Sequence, residues 1–290
     1  MSTLLRGGTL LTALRRLWKR CTLLLRRRPT LPPALWQATV AHYPFLHQLP
    51  AHDLHRLREL SATFLAHKQF TGAGGLTITD PMALAVAAQA CLPLLHLSPA
   101  HTPAHIALGW YDDFVGIVLH PGAVVAAREV TDHDGIVHRY RAVLNGEAMH
   151  GGPVMLNWPD VAHADQTAAH GYNLVIHEFA HKIELRDGRD DGCPPLPAGF
   201  GGSRSSAQAR QQWQTQISVE YEHFSHQVAA AERFAGLAPK PHLDPYGAES
   251  LSEFFAVATE AYFVNPALLR AQSTGLYALL DSFYQVHRSA

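Results

Sequence analysis

"NLVIHEFAHKIELRDG", residues 173–188, places His177 and His181 four positions apart with Glu178 after the first, inside a run that is otherwise mostly apolar. On an α-helix, positions four apart are offset by about 40° and one turn, so the two imidazoles project side by side. Leu174, Val175, Ile176, Phe179, Ala180, Ile183 and Leu185 surround this polar stripe, and Gly188 offers a helix terminus. Such a helix is buried on most sides, where an unpaired polar group costs roughly 2–7 kcal/mol. Two imidazoles that grip one cation resolve that cost, and Glu178 beside them can take a proton from a water on the same ion. The competing reading makes His177 and His181 ordinary hydrogen-bonded core histidines, with Glu178 on an exposed edge.

A catalytic zinc needs a third protein ligand and an open position. Downstream, "DPYGAESLSEFFAVATEAYF" (244–263) has a loop-like start and then a helix from about Ser250, on which Glu253 and Glu260 share one face. Glu253 is the expected third ligand, delivered by a second buried helix crossing the first. Glu260 and Asn173 are the candidates for orienting the liganding groups. Ser250 and Glu253 also fit a capping box, in which Glu253 only satisfies the helix start, and Glu260 also fits a solvated position. Asp187 ranks second as ligand, because the glycine that would turn the chain back in an H-E-x-x-H-x-x-G-x-x-H pattern is here Glu184. Cys193 and the group Glu222, His223 and His226 rank lower.

The rest of the chain bounds the reading. At 290 residues and 47% hydrophobic content, a substantial core is available, and 23 basic against 24 acidic residues supply no field to attract nucleic acid. Three widely spaced cysteines, Cys21, Cys91 and Cys193, fit a reducing, cytoplasmic setting better than a disulfide framework. Twenty histidines raise the chance of an accidental pair. Residues 1–28 carry Arg6, Arg15, Arg16, Lys19, Arg20, Arg26, Arg27 and Arg28, with no acid before Asp53. Residues 1–30 therefore read as a basic leader, either amphipathic with weak contact to an anionic membrane surface or disordered. Residues 31–290 read as one catalytic domain, α/β to about 188 and helical over 205–290. Leu54, Leu57, Leu60, Phe64 and Leu65 have helical spacing, and "MALAVAAQACL" after Asp80 and Pro81 reads as a buried helix capped by Asp80 and stopped by Pro93. "FVGIVLH" (114–120), "GIVHRYRAVL" (135–144) and "PVMLNW" (153–158) read as strands, the last as an edge beside which an extended peptide pairs. Residues from 189 to about 210 read as loop, and helices return over about 211–236 and 250–287.

"HEFAHKIE" with "DPYGAESLSEFFAVATEAYF", joined by "CLPLL" (91–95), "GPVMLNW" (152–158) and "GYNLVIHE" (171–178), resembles the Mlc titration factor A family of zinc metallopeptidases. The likeness runs from about 35 to 285. It implies an α+β, zincin-like fold of the gluzincin kind, similar to the catalytic domain of anthrax lethal factor, with a small mixed sheet before the HExxH helix and a mainly helical C-terminal half. It also implies one zinc ion per chain on His177, His181 and Glu253, with Glu178 as base and Tyr246, seven residues before Glu253, near the reacting carbonyl. Peptide substrates, aminopeptidase-like cleavage and a Mlc-like transcription repressor as partner follow from the same resemblance. A binding module that sequesters such a repressor, with catalysis secondary, is the alternative. The sequence departs from the family in its basic leader, in a longer glycine-rich segment after Gly188, and in Ser250-Leu251 where Asp-Pro is commoner.

Overall fold

The computed structural model describes residues 30–285 apart from 123, 132–136, 145, 149–150, 235–236 and 238. The basic leader at 1–28 lies outside the described residues. Helix α1 (Pro33–His42) and helix α2 (Ala51–His67) open the chain, and strand β1 (Gln69–Gly72) follows directly. Leu57, Leu60 and Phe64 of α2 are fully buried, as their spacing predicts. Helix α3 (Asp80–Cys91) buries Leu84, Val86, Ala87, Ala88 and Ala90. Its N-cap is Thr79 rather than Asp80, which sits in the first turn where a carboxylate complements the helix dipole. A short 3₁₀ turn containing Pro93 then ends it, because proline has no N–H to continue the ladder.

Four strands form one mixed sheet in the order β1, β2, β6, β5, with β2 at Gly116–His120, β5 at Gly146–Ala148 and β6 at Val154–Asn157. β1, β2 and β6 run parallel, and β5 returns antiparallel to β6. Ile117 and Leu119 of β2 and Val154 and Leu156 of β6 turn into the core in strand alternation. β3 (Val124–Thr131) and β4 (Val137–Leu144) pair separately as an antiparallel ribbon. Three strands, β1, β3 and β5, have no counterpart in the sequence reading; β1 and β5, of four and three residues, are too short to reveal a period, whereas β3 is as long as its partner β4. The expected edge at "PVMLNW" is corrected as well. β6 is paired on both sides, so the sheet's outer strands are β1 and β5.

Helix α4 (Leu174–Glu184) carries the two histidines, and a 3₁₀ turn to Asp187 leads into Gly188 at φ 79°. Helix α5 (Ser206–Arg233) follows, capped by Ser205, whose Oγ accepts from Gln208 N. The last helical stretch is three helices, α6 (Leu251–Val264), α7 (Pro266–Gln272) and α8 (Thr274–Tyr284). Asn265 and Ser273 break it, since each side chain accepts a backbone N–H and starts a new helix.

A helix-dominant architecture with a small, mainly parallel sheet results, and one apolar cluster runs from Trp36 to Tyr284. Phe179 on α4 meets Tyr111, Phe64 and Phe114 at ring separations of 4.9, 5.7 and 5.8 Å, which fixes one side of the histidine helix against α2 and the sheet. Trp213 packs on Phe255 and Phe283 and holds α6 between α5 and α8. Cys91 and Cys193 are both reduced and buried. Among the described residues no helix is long and apolar enough to cross a membrane.

Lys68 braces the sheet end of this core. Lys68 Nζ donates to the carbonyls of Tyr111 and Phe114 and stands 3.7 Å over the Phe114 ring. Burial lowers its pKa to about 8, against the opposing pull of Asp113 and Asp112. The unfolded chain therefore binds more protons than the folded one between about pH 8 and the ordinary lysine value, so this group adds stability as pH rises through that window. Denaturant titrations should show a steeper rise of stability above pH 8 in the unaltered protein than in Lys68→Met. Parallel curves would remove the assignment.

Candidate metal centre

Local sequence positions the two histidines. Asn173 caps α4, its Oδ1 accepting from Ile176 N at 2.9 Å, and this sets the turn on which His177 stands. α6 packs directly across α4. The crossing brings Glu253 Oε2 to 3.1 Å from His177 Nε2 and 3.3 Å from His181 Nε2, while the two Nε2 atoms lie 3.3 Å apart. Tetrahedral coordination with bonds of about 2.0–2.1 Å separates neighbouring ligand atoms by about 3.3 Å. The three atoms thus have the mutual spacing of three corners of a zinc site. Among the described residues, His177, His181 and Glu253 form the group of metal-ligating side chains that converges in this way.

The electrostatics ask for the same thing. Burial alone would lower both imidazole pKa values, yet hydrogen bonds to Glu253 and Glu260 hold His177 well above its ordinary value. His181 is pushed up to about 9 against its burial by Glu184 and Glu253. Glu253, although burial opposes it, is kept well below the usual carboxylate range by the two histidines. Protons on facing rings stand in for positive charge that the surrounding carboxylates require, and a divalent cation answers that requirement without setting two imidazolium groups against each other.

Glu178 is 4% exposed, and its Oε2 has no hydrogen-bond partner. Burial raises its carboxyl to about 7, with His177 and His181 pulling it down. The competing reading, an exposed edge, does not describe it. Glu260, 1% exposed, accepts from Asn173 N at 2.5 Å through Oε2 and lies 2.7 Å from His177 Nδ1 through Oε1. It therefore orients His177 and is not solvated. Ser250 Oγ accepts from Glu253 N, so the first half of the capping box forms. The Glu253 side chain turns to the imidazoles and to Tyr246, whose hydroxyl donates to Glu253 Oε1 at 3.2 Å. Tyr246 is 41% exposed and lies on the solvent side of the cluster, its ring 6.0 Å from that of His177.

The competing ligands are elsewhere. Asp187 is exposed and pairs with Arg210 at 3.3 Å. Glu222, His223 and His226 are exposed on α5. The Cys193 thiol points to the Pro194 carbonyl, and burial pushes it up to about 12. Four polar residues around the centre escaped sequence reading. Gln89 accepts from Asn173 Nδ2 at 2.8 Å, and Glu184 and Ser252 stand beside His181 Nδ1. Lys182, fully buried, donates to Asp113 Oδ2 and the Gly152 carbonyl and ties α4 to the segments that lead into β2 and β6. An alternating or helical period identifies faces, not partners, so only the Glu184 at an expected glycine position gave any signal.

The loop after α4 is locked as tightly. Gly192 has φ 73°, and a Cβ there would lie 2.6 Å from the carbonyl oxygen of Leu251, the first residue of α6. Trp213 Nε1 donates to the Gly192 carbonyl at 2.7 Å. Gly192→Ala should lose roughly 2–4 kcal/mol through left-handed backbone strain and the steric clash, read as a drop in denaturation midpoint at constant slope.

A buried pair of imidazoles joined by a distant carboxylate, on a mixed helix-dominant scaffold, defines a metallopeptidase-type protein. The family model described as glucose-regulated metallo-peptidase M90 matches residues 15–285, and the chain belongs to that family. It is 30% identical over 251 residues to Mlc titration factor A of Klebsiella pneumoniae subsp. pneumoniae, covering 86% of this chain and 85% of the relative. It is also 30% identical to Mlc titration factor A of Escherichia fergusonii (87% and 85% covered) and of Salmonella arizonae (87% and 90%).

Proposed function

We propose that residues 31–290 form one zincin-like catalytic domain, acting in the cytoplasm, that hydrolyses peptide bonds with one zinc ion on His177, His181 and Glu253. The observation that carries this reading is the triangle of 3.1, 3.3 and 3.3 Å between the three ligand atoms. Held there, zinc supplies Lewis acidity, acidifying water and polarising a carbonyl. Glu178 takes the proton of the attacking water and returns it to the leaving amine, and a carboxyl near neutrality suits both transfers. Tyr246 offers its phenol to the oxygen on which negative charge develops. Buried His177, Glu178 and Glu260 lie on the protein side of the cluster, while the exposed Tyr246 marks the open one. An extended peptide pairs with the outer edge of β5, which lies against α4, instead of with β6. Aminopeptidase-like preference for small peptides is carried by the family resemblance alone.

A crystal structure with anomalous data on both sides of the zinc absorption edge tests the proposal. Edge-dependent density between His177, His181 and Glu253 supports it, and density elsewhere, or none after zinc loading, overturns it.

The names of the relatives favour a second reading, capture of a Mlc-like transcription repressor. If capture is the main role, Glu178→Gln still binds the repressor and keeps the biological effect. If catalysis is the main role, that variant binds but the effect is lost.

A further inference from the structure

We infer that Glu184 is a positioning residue for the metal centre: its carboxylate holds the Nδ1 side of His181 and fastens to it both the start of α6 and the loop after α4. The inference rests on the zinc reading above. Glu184 is fully buried, one turn beyond His181, and its Oε2 lies 3.4 Å from His181 Nδ1. Ser252 Oγ donates to the same Oε2 at 2.5 Å and is itself 3.2 Å from His181 Nδ1. Ser252 is the residue before the third ligand. The other oxygen, Oε1, accepts from Asp191 N at 3.0 Å and from Gly192 N. One carboxylate therefore spans the metal helix, the helix that delivers Glu253, and the Asp191–Gly192 backbone.

The chemistry follows from donor counting. A carboxylate accepts only, so Glu184 draws the ring proton of His181 to Nδ1 and leaves the Nε2 lone pair toward Glu253 and His177. Glu260 does the same for His177 from the other side. Each imidazole thus has its own buried carboxylate, one from α6 and one from its own helix. A structural role limited to closing the loop would need only Oε1; the second oxygen with Ser252 serves the ring.

Glu184→Gln separates the two roles. Two backbone N–H groups still require an acceptor, so the amide oxygen stays on the loop and the amide nitrogen faces His181 Nδ1. There it donates to the ring and drives the ring proton onto Nε2. The zinc dissociation constant, measured by competition with a chromophoric chelator, should rise about 10–100-fold. The visible bands of the cobalt(II)-loaded protein should shift, and the melting temperature of the metal-free protein should stay close to that of the unaltered chain. Zinc affinity within threefold of the unaltered protein, with unchanged cobalt bands, overturns the inference. Should the variant not fold, Ser252→Ala removes one of the bonds that aim the carboxylate and should weaken zinc about fivefold; unchanged affinity there overturns it equally. Failure of the unaltered protein to bind zinc sinks the metal centre itself, a result distinct from loss in Glu184→Gln alone.

Discussion

Glu178→Gln lowers peptide turnover by about 10²–10⁴-fold and leaves zinc content unchanged, as read by steady-state hydrolysis of small peptides beside metal analysis of the purified protein. The size of the effect follows from what the amide cannot do: it matches the carboxylate in shape but accepts no proton from water. Zinc content is preserved because Glu178 is not one of the three converging atoms. The folded protein also becomes no less stable. Burial has raised this carboxyl to about 7, so its ionised form is disfavoured in the fold, and a neutral amide escapes that cost. Turnover within tenfold of the unaltered enzyme would remove Glu178 as the base, and loss of zinc together with turnover would show that it supports the ligands instead.

Glu253→Ala should weaken zinc at least about a hundredfold, because it removes the one proposed ligand that comes from outside α4. The effect distinguishes the two roles that Ser250 and Glu253 can play. If Glu253 only completed a helix cap, its truncation would cost about 1 kcal/mol and leave metal binding intact. The structure gives the cap to Ser250 Oγ and the Glu253 backbone N–H, which alanine retains, so helix α6 should persist. Added zinc raises the melting temperature of the unaltered protein in proportion to the logarithm of its concentration over the dissociation constant. In Glu253→Ala that rise should be lost at the same zinc concentration. A full thermal shift in the variant would exclude Glu253 from the centre.

The position of Tyr246 ties these two outcomes together. Its hydroxyl bonds to Glu253 Oε1, the oxygen turned away from the imidazoles. Truncating Glu253 therefore removes this bond to the phenol together with the proposed metal ligand. Rates measured on that variant at saturating zinc report both losses, which is why affinity and thermal shift are the cleaner readouts.

Much of this arrangement is local and for that reason legible in the chain. The i, i+4 spacing puts His177 and His181 on one helix face whatever the fold does around them. Apolar residues on every side of the stripe announce burial, and burial of imidazoles announces a partner. The helix start at Ser250 is equally local, its side chain accepting a backbone N–H three residues on; Asn173, Ser205 and Asn265 use the same device, but the sequence reading starts the next helix only near 211 and runs 250–287 without a break. By contrast, the pairing of β6 on both sides and the extra strands β1, β3 and β5 depend on neighbours that no periodicity encodes.

The sequence by itself determined that a buried helix would present two imidazoles and a carboxylate together, because helical geometry and transfer free energy act over a single turn. Only the tertiary structure decided which distant carboxylate joins them. Glu253 and Glu260 sit on one face of α6, and the sequence also allows a cap for the first and a solvated position for the second; the crossing of α6 over α4 sends Glu253 to Nε2 and Glu260 to Nδ1 of the same ring. Glu184, Ser252 and Gln89 acquire their places in the same way, from packing that brings together atoms up to 84 residues apart in the chain. Hydrogen bonds of that reach are fixed by how helices pack, and the packing of large buried rings such as Phe179 and Trp213 sets it.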